Sequence, residues 1–173
     1  MSPVDGERMA DPGDLCEILT TDGRQSLAAS HIARGVMRLF ANMGLTSVCE
    51  VPLPNGRRAD IVGLTQKGDL WITEIKSSII DFQTDQKWPE YWDCCDRLFF
   101  AVSPTFPLEL LPETTGVIVA DRYGGEVIRP VADIRLPSHR RRAMTLRFGA
   151  IAAARLQALA DPGFPLDQVI RGD

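Results

Sequence analysis

Glu74 and Lys76, in the run WITEIKSS (71–78), put a carboxylate and an ammonium two positions apart. In an extended chain residues i and i+2 share a face. The two charges therefore stand side by side where a half-buried sheet would normally carry apolar groups. Asp60 lies on the preceding strand-like segment, with thirteen residues between it and Glu74. A hairpin of that length can bring the two carboxylates together, although the sequence leaves the register open. Converging carboxylates repel each other and call for a cation, and oxygen donors without thiolate or imidazole select Mg²⁺ or Mn²⁺. Such an ion polarises a phosphoryl oxygen and activates a water. Lys76, on the same face, can orient that water or stabilise charge on the phosphate. Ile75 points to the other face and leaves its carbonyl as a further ligand. The competing reading is an ordinary ion pair on an amphipathic strand, worth little if exposed. The apolar flanks of WITEI argue against exposure, and a buried pair needs more partners.

The elements that must position these groups can be read from periodicity. Residues 1–20 mix Asp, Gly, Pro and Glu and read as a flexible arm ahead of one domain over 21–173. From Arg24 to Met43, the residues Ala28, Ile32, Gly35, Val36, Leu39 and Met43 fall on one helical face, with Asp22 or Thr21 as the expected cap. Three strands follow at 47–53, 57–65 and 69–78, separated by the turn signals PNG and QKGD. On the third, Leu70, Ile72, Glu74 and Lys76 share one face. IIDFQTDQKWPEYWDCCDR reads as helical, but Pro89 splits it into two short pieces or kinks it. RLFFAVS (97–103) suits a buried strand. GVIVADRYGGEVIRP (116–130) reads as a hairpin and 138–159 as an Ala-rich helix. The α-β-β-β-α-β order, closed by a hairpin and a helix, predicts an α/β fold with a mixed sheet flanked by helices.

Composition limits the partners. The 173 residues are 45 % hydrophobic, enough for one sizeable core, and the net charge of −4 argues against binding nucleic acid through bulk charge. A local basic surface remains available, because RLPSHRRRAMTLR carries five arginines and no acid. No apolar run is long enough to cross a bilayer and the polar N-terminus has no signal core, so the expectation is a soluble, cytoplasmic protein. Cys16, Cys49, Cys94 and Cys95 have no CxxC spacing, which disfavours zinc, and Cys94–Cys95 reads as packing.

Asp60, the thirteen-residue spacing, Glu74–Ile75–Lys76 and the order of elements together resemble the PD-(D/E)xK nuclease superfamily. More narrowly, RRADIVGLTQKGDLWITEIKSSIIDFQTDQKWPEYWDCCDRLFFAV is similar to the MmcB-like DNA repair proteins, over roughly residues 24–125. The resemblance implies a restriction-endonuclease-like core and a Mg²⁺- or Mn²⁺-dependent deoxyribonuclease in DNA repair. Asp60 and Glu74 would be metal ligands, Lys76 the catalytic lysine, and Glu50 the optional acid of the first core strand. Ala59 stands where the motif has proline. Lys87 and Tyr91 stand at the spacing of the QxxxY motif of the RecB-like branch, with Gln83 and Gln86 nearby, which departs from that branch. The alternative is a nuclease-fold module that no longer cuts and recognises DNA structures or repair partners. Many enzymes of this fold work as homodimers.

Further residues are candidate DNA contacts. Arg57 and Arg58 precede Asp60, and Lys87 and Tyr91 offer charge and a stacking surface after the ExK strand. Trp88 and Trp92 read as core. Arg140, Arg141 and Arg142 fall in the first turn of a helix, where the macrodipole disfavours cations. They need anions nearby, either acidic side chains from elsewhere in the fold or a DNA phosphate track. His31 and Arg34 lie on the first helix and read as structural.

Overall fold

The computed structural model describes residues 26–161, 163–166 and 170. The arm over 1–20 lies outside them, as do Asp22 and Thr21. Helix α1 spans Leu27–Asn42 and is capped by Ser26, whose hydroxyl accepts from Ala29 N–H at 3.2 Å. It ends at Met43 and Gly44, the glycine taking φ +79°.

Strands β1 (Thr46–Pro52), β2 (Arg58–Leu64) and β3 (Leu70–Lys76) form an antiparallel meander. The chain then makes helix α2 (Ile79–Thr84) and a 3₁₀ turn (Trp88–Asp93) with Pro89 at its start, the interruption that the proline predicts. Strand β4 (Arg97–Val102) runs parallel to β3, and β5 (Gly116–Ala120) parallel to β4. Strand β6 (Gly125–Arg129) pairs antiparallel with β5, and the long helix α3 covers Ser138–Ala160. The six strands lie side by side in chain order. This is the expected α/β architecture, a mixed sheet flanked by helices.

Each face of the sheet carries its own core. Trp71 and Ile75 face α1, with Ile32, Val36, Phe40, Phe99 and Ile118. Leu70 and Ile72 face α3 and the 3₁₀ turn, with Tyr91, Leu98, Met144, Phe148 and Ile151. This alternation is the one read from β3, and it puts Glu74 and Lys76 on the α3 side. Gly35 lets α1 seat on the β5–β6 hairpin: a Cβ there would lie 2.2 Å from the Asp121 carbonyl oxygen and 2.4 Å from that of Gly124. Among the described residues, no helix is long and apolar enough to cross a membrane. Cys49, Cys94 and Cys95 are buried, the Cys95 thiol donating to the Tyr91 carbonyl at 3.3 Å, and burial raises the thiol pKa of Cys94 and Cys95.

The sequence places Ser77 and Ser78 in the third strand, but the strand stops at Lys76. The Ser78 hydroxyl instead accepts from Asp81 N–H at 3.1 Å and caps α2, while Asp81 accepts from Ser77 N–H at 3.1 Å. A serine three residues before an acid is a helix-start signature. Here local capping overrides extended propensity.

Candidate active site

The last ladder pair of β2 and β3 is Ile61 opposite Thr73, and one step further Asp60 comes opposite Glu74. Here side chains replace the backbone ladder. Asp60 N–H donates to Glu74 Oε1 at 3.3 Å, and Ile75 N–H donates to Asp60 Oδ2 at 2.7 Å. Each carboxylate is thus held by the other strand, and the register left open by the sequence sets them side by side. Lys76 follows, its Nζ 3.9 Å from Glu74 Oε2 and 2.5 Å from Asp85 Oδ2. Glu74 and Lys76 are 4 % and 5 % exposed, so this is no surface ion pair.

The electrostatics show an unmet demand for positive charge. Burial, and then the nearby Glu50 carboxylate, push Asp60 up to about 6, against the lowering effect of Ile75 N–H and Lys76. Burial and the Asp60 carboxylate hold Glu74 well above the usual range. Lys76 stays above its ordinary value although burial opposes its charge, because Asp85 and Glu74 more than offset that cost. Asp85 is held low by Lys76 and the Lys87 N–H despite its burial.

Among the described residues, no three His, Cys, Asp or Glu side chains gather into a metal cage. The carboxylates that the β2–β3 ladder brings together, and that a cation would meet, are Asp60 and Glu74. That donor set fits Mg²⁺, which usually takes one or two carboxylates and completes its shell with water and phosphate oxygens. Glu50 is less well placed. Its carboxylate pairs with Arg58, and the residue has φ +49°, the only described non-glycine at positive φ. The turn at Glu50 sends Cys49 and Val51, two positions apart, into opposite cores. Arg155 of α3, buried and unanticipated from the sequence, donates to the Cys49 and Glu50 carbonyls, the latter at 2.9 Å.

A stability test follows from the raised Asp60. A carboxyl whose folded pKa exceeds its unfolded value binds more protons when folded, so stability falls as pH rises through the window from about 4 to about 6. In metal-free protein, Asp60→Asn should therefore raise Tm by several degrees at pH 8 and change it little at pH 4. Thermal melts of both proteins in chelator at the two pH values check this. An equal shift at both pH values would mean that Asp60 carries no charge burden.

The proposed DNA contacts are scattered. Arg57 makes two hydrogen bonds of 2.8 Å to the Glu90 carboxylate, and Arg58 takes Glu50. Tyr91 is buried, and its hydroxyl donates to the Arg58 carbonyl at 3.2 Å, so its ring offers no face for a base. Lys87 is exposed close to Asp85, its N–H donating to Asp85 Oδ1 at 2.9 Å. Arg140 pairs with Asp93, and Arg141 donates to both oxygens of Asp96 at 2.8 and 2.6 Å. These acids supply the anions for two of the three arginines at the helix start. Arg142 is exposed. The Arg141 contact lies at the Leu70 end of β3, about 13 Å along the strand from Glu74 at ~3.3 Å per residue. Trp88 stands edge-to-face on Phe100 with centroids 5.7 Å apart, and Trp92 packs on the α3-side core, as expected.

Asp85 was not legible as a site residue, because its pairing with Lys76 depends on how α2 turns the chain back. Asp81 carried a signal in the Ser78–Asp81 spacing.

The fold and the site together define a mixed-sheet α/β domain with two interlocked carboxylates and a lysine on adjacent strands. The chain belongs to the MmcB-like DNA repair protein family, whose model matches residues 17–163. Among solved structures it is similar to the SPO1766 protein of unknown function from Silicibacter pomeroyi. Identity is 43 % and the TM-score 0.76, over 80 % of this chain and 94 % of that one. No curated protein matches it. The family read from RRADIVGL and WITEIK is borne out.

Proposed function

We propose that this protein is a DNA nuclease of the PD-(D/E)xK type, hydrolysing phosphodiester bonds in DNA repair with Mg²⁺ or Mn²⁺. The observation that carries this reading is the mutual anchoring of Asp60 and Glu74 across the β2–β3 ladder, with Lys76 on the same face. Asp60 and Glu74 would hold the ion. Once bound, a divalent ion supplies Lewis-acid polarisation of the phosphate and acidification of a water.

The chain's own groups do the rest. The Ile75 N–H fixes the Asp60 carboxylate and the Asp60 N–H holds Glu74, so the pair that would hold the ion is restrained before an ion binds. The Lys76 ammonium, kept charged by its neighbours, is placed to donate to the attacked phosphate or to orient the nucleophilic water. Phe82 and Trp88 stand edge-to-face on Phe100, whose ring lies 6.0 Å from Lys76 Nζ. This aromatic wall excludes water on one side and strengthens the lysine's field. A module that binds DNA without cutting draws less support, because Asp60, Glu74 and Lys76 are all retained and stand together in one buried cluster, where a retired site would be expected to lose at least one of them.

The test is cleavage of a substrate panel, comprising single-stranded, nicked, flapped, gapped and four-way junction DNA, in Mg²⁺ or Mn²⁺ and in chelator. Metal-dependent cutting of any member is expected. DNA binding without cutting under all conditions would turn the reading to the binding module.

A further inference from the structure

Lys76 has two carboxylates within ion-pair distance, and it takes the one that is not a candidate ligand. Its Nζ lies 2.5 Å from Asp85 Oδ2 but 3.9 Å from Glu74 Oε2. Asp85 is held at both oxygens, since its Oδ1 accepts the Lys87 N–H at 2.9 Å. The segment that delivers it is fixed as well. Ser78 caps α2, Asp81 accepts from Ser77 N–H, and Phe82 sets its ring edge-to-face on Phe100 and Phe106, with centroids 5.5 and 6.5 Å apart. The chain between β3 and the 3₁₀ turn is thus a bracket that brings one carboxylate over the lysine.

We propose that Asp85 is a positioning residue: it draws the Lys76 ammonium off Glu74, leaving Glu74 an oxygen for the divalent cation. The proposal rests on the nuclease reading above. A buried ammonium needs a carboxylate partner. Were Asp85 removed, the partner next in reach is Glu74, and a rotation within the flexible lysine stem closes the remaining gap. The ammonium would then occupy the oxygen the cation needs, and two positive charges would compete for one acid. With Asp85 in place, Lys76 stays charged and close, yet it does not close onto Glu74 Oε2. Outer partners of metal ligands act in this way in many sites.

A plain field effect makes a different prediction. If Asp85 merely adds negative charge that attracts a cation, its loss weakens binding whether or not Lys76 is present. Mn²⁺ binding by calorimetry to the full chain separates the two, using wild type, Asp85→Asn, Lys76→Met and the double variant. Asparagine keeps the shape of Asp85 and an acceptor for the Lys87 N–H. Asp85→Asn is expected to weaken Mn²⁺ binding about tenfold. Lys76→Met should bind at least as tightly as wild type, and adding Asp85→Asn to it should change binding by less than about twofold.

Equal weakening in both backgrounds, or none in either, overturns the proposal and leaves the nuclease reading standing. Should neither wild type nor Lys76→Met bind Mn²⁺, both fall together. If Asp85→Asn alone proves too unstable to titrate, the Lys76→Met pair, with no unpaired ammonium, still keeps the proposal falsifiable: weakening in that background refutes the lysine-based role.

Discussion

Lys76→Ala protein should bind DNA much as wild type does and cut it on the order of 10²- to 10³-fold more slowly. Asp60→Ala should leave no measurable metal-dependent cutting. The two expectations rest on different physics. Lys76 is itself 5 % exposed and beside Phe100, and a fixed ammonium in such surroundings acts far more strongly on a developing phosphate charge than it would in water. Its loss removes transition-state stabilisation, so the effect belongs in kcat, with KM for DNA little changed. Asp60 is one of only two carboxylates in the proposed cation set, so its loss costs the ion itself. Truncation of Lys76 strands Asp85 but also removes a buried ammonium, and these changes oppose each other, so the fold should survive. Single-turnover cleavage rates, with a thermal melt of each variant alongside, provide the check. Full activity in either purified variant would remove the catalytic assignment.

Asp96→Ala should destabilise the protein by about 3–5 kcal/mol, and at ~2–4 °C per kcal/mol for a chain of this size lower Tm by roughly 10 °C. Asp96 is 1 % exposed and accepts four hydrogen bonds: Leu70 N–H at 2.8 Å, Leu136 N–H at 2.9 Å, and two from Arg141 at 2.8 and 2.6 Å. It thereby ties the start of β3, the segment before α3 and the first turn of α3 at one buried point. Alanine leaves two backbone N–H groups without an acceptor and takes the carboxylate from a guanidinium that is three-quarters buried. Arg141→Met should cost less, because Asp96 keeps both N–H donors. Chemical denaturation of the two variants measures the difference. A loss below about 1 kcal/mol for Asp96→Ala would mean that water replaces the lost acceptor.

The Arg140–Arg142 cluster shows where a sequence argument reaches and where it stops. Three cations at the positive end of a helix dipole need negative charge nearby, and two kinds of anion supply it equally well. Choosing between acidic side chains and DNA phosphate requires knowing that Asp93 and Asp96, over forty positions earlier, lie under that turn. Tyr91 is a similar case. Its place beside Lys87 suggests a surface platform, but the 3₁₀ turn after Pro89 rolls its ring into the α3-side core. The elements themselves were legible: the period-2 alternation of β3, the Pro89 break and the PNG and QKGD turns are local signals and appear in the structure. The end of β3 was missed, because capping by Ser78 competes with strand propensity at that residue.

The order of elements, the face of β3 that carries Glu74 and Lys76, and the family are written in local periodicity or in a contiguous motif, and so can be read along the chain. Assembly of the sheet is what sets Asp60 opposite Glu74 and lets the two strands exchange hydrogen bonds there. It also decided that Glu50 is taken by Arg58 in a strained turn, and that Lys76 is given to Asp85. The reason is physical: strand register, burial and ion pairing join residues distant in the chain, and their energies depend on the desolvation that only the assembled sheet and helices impose.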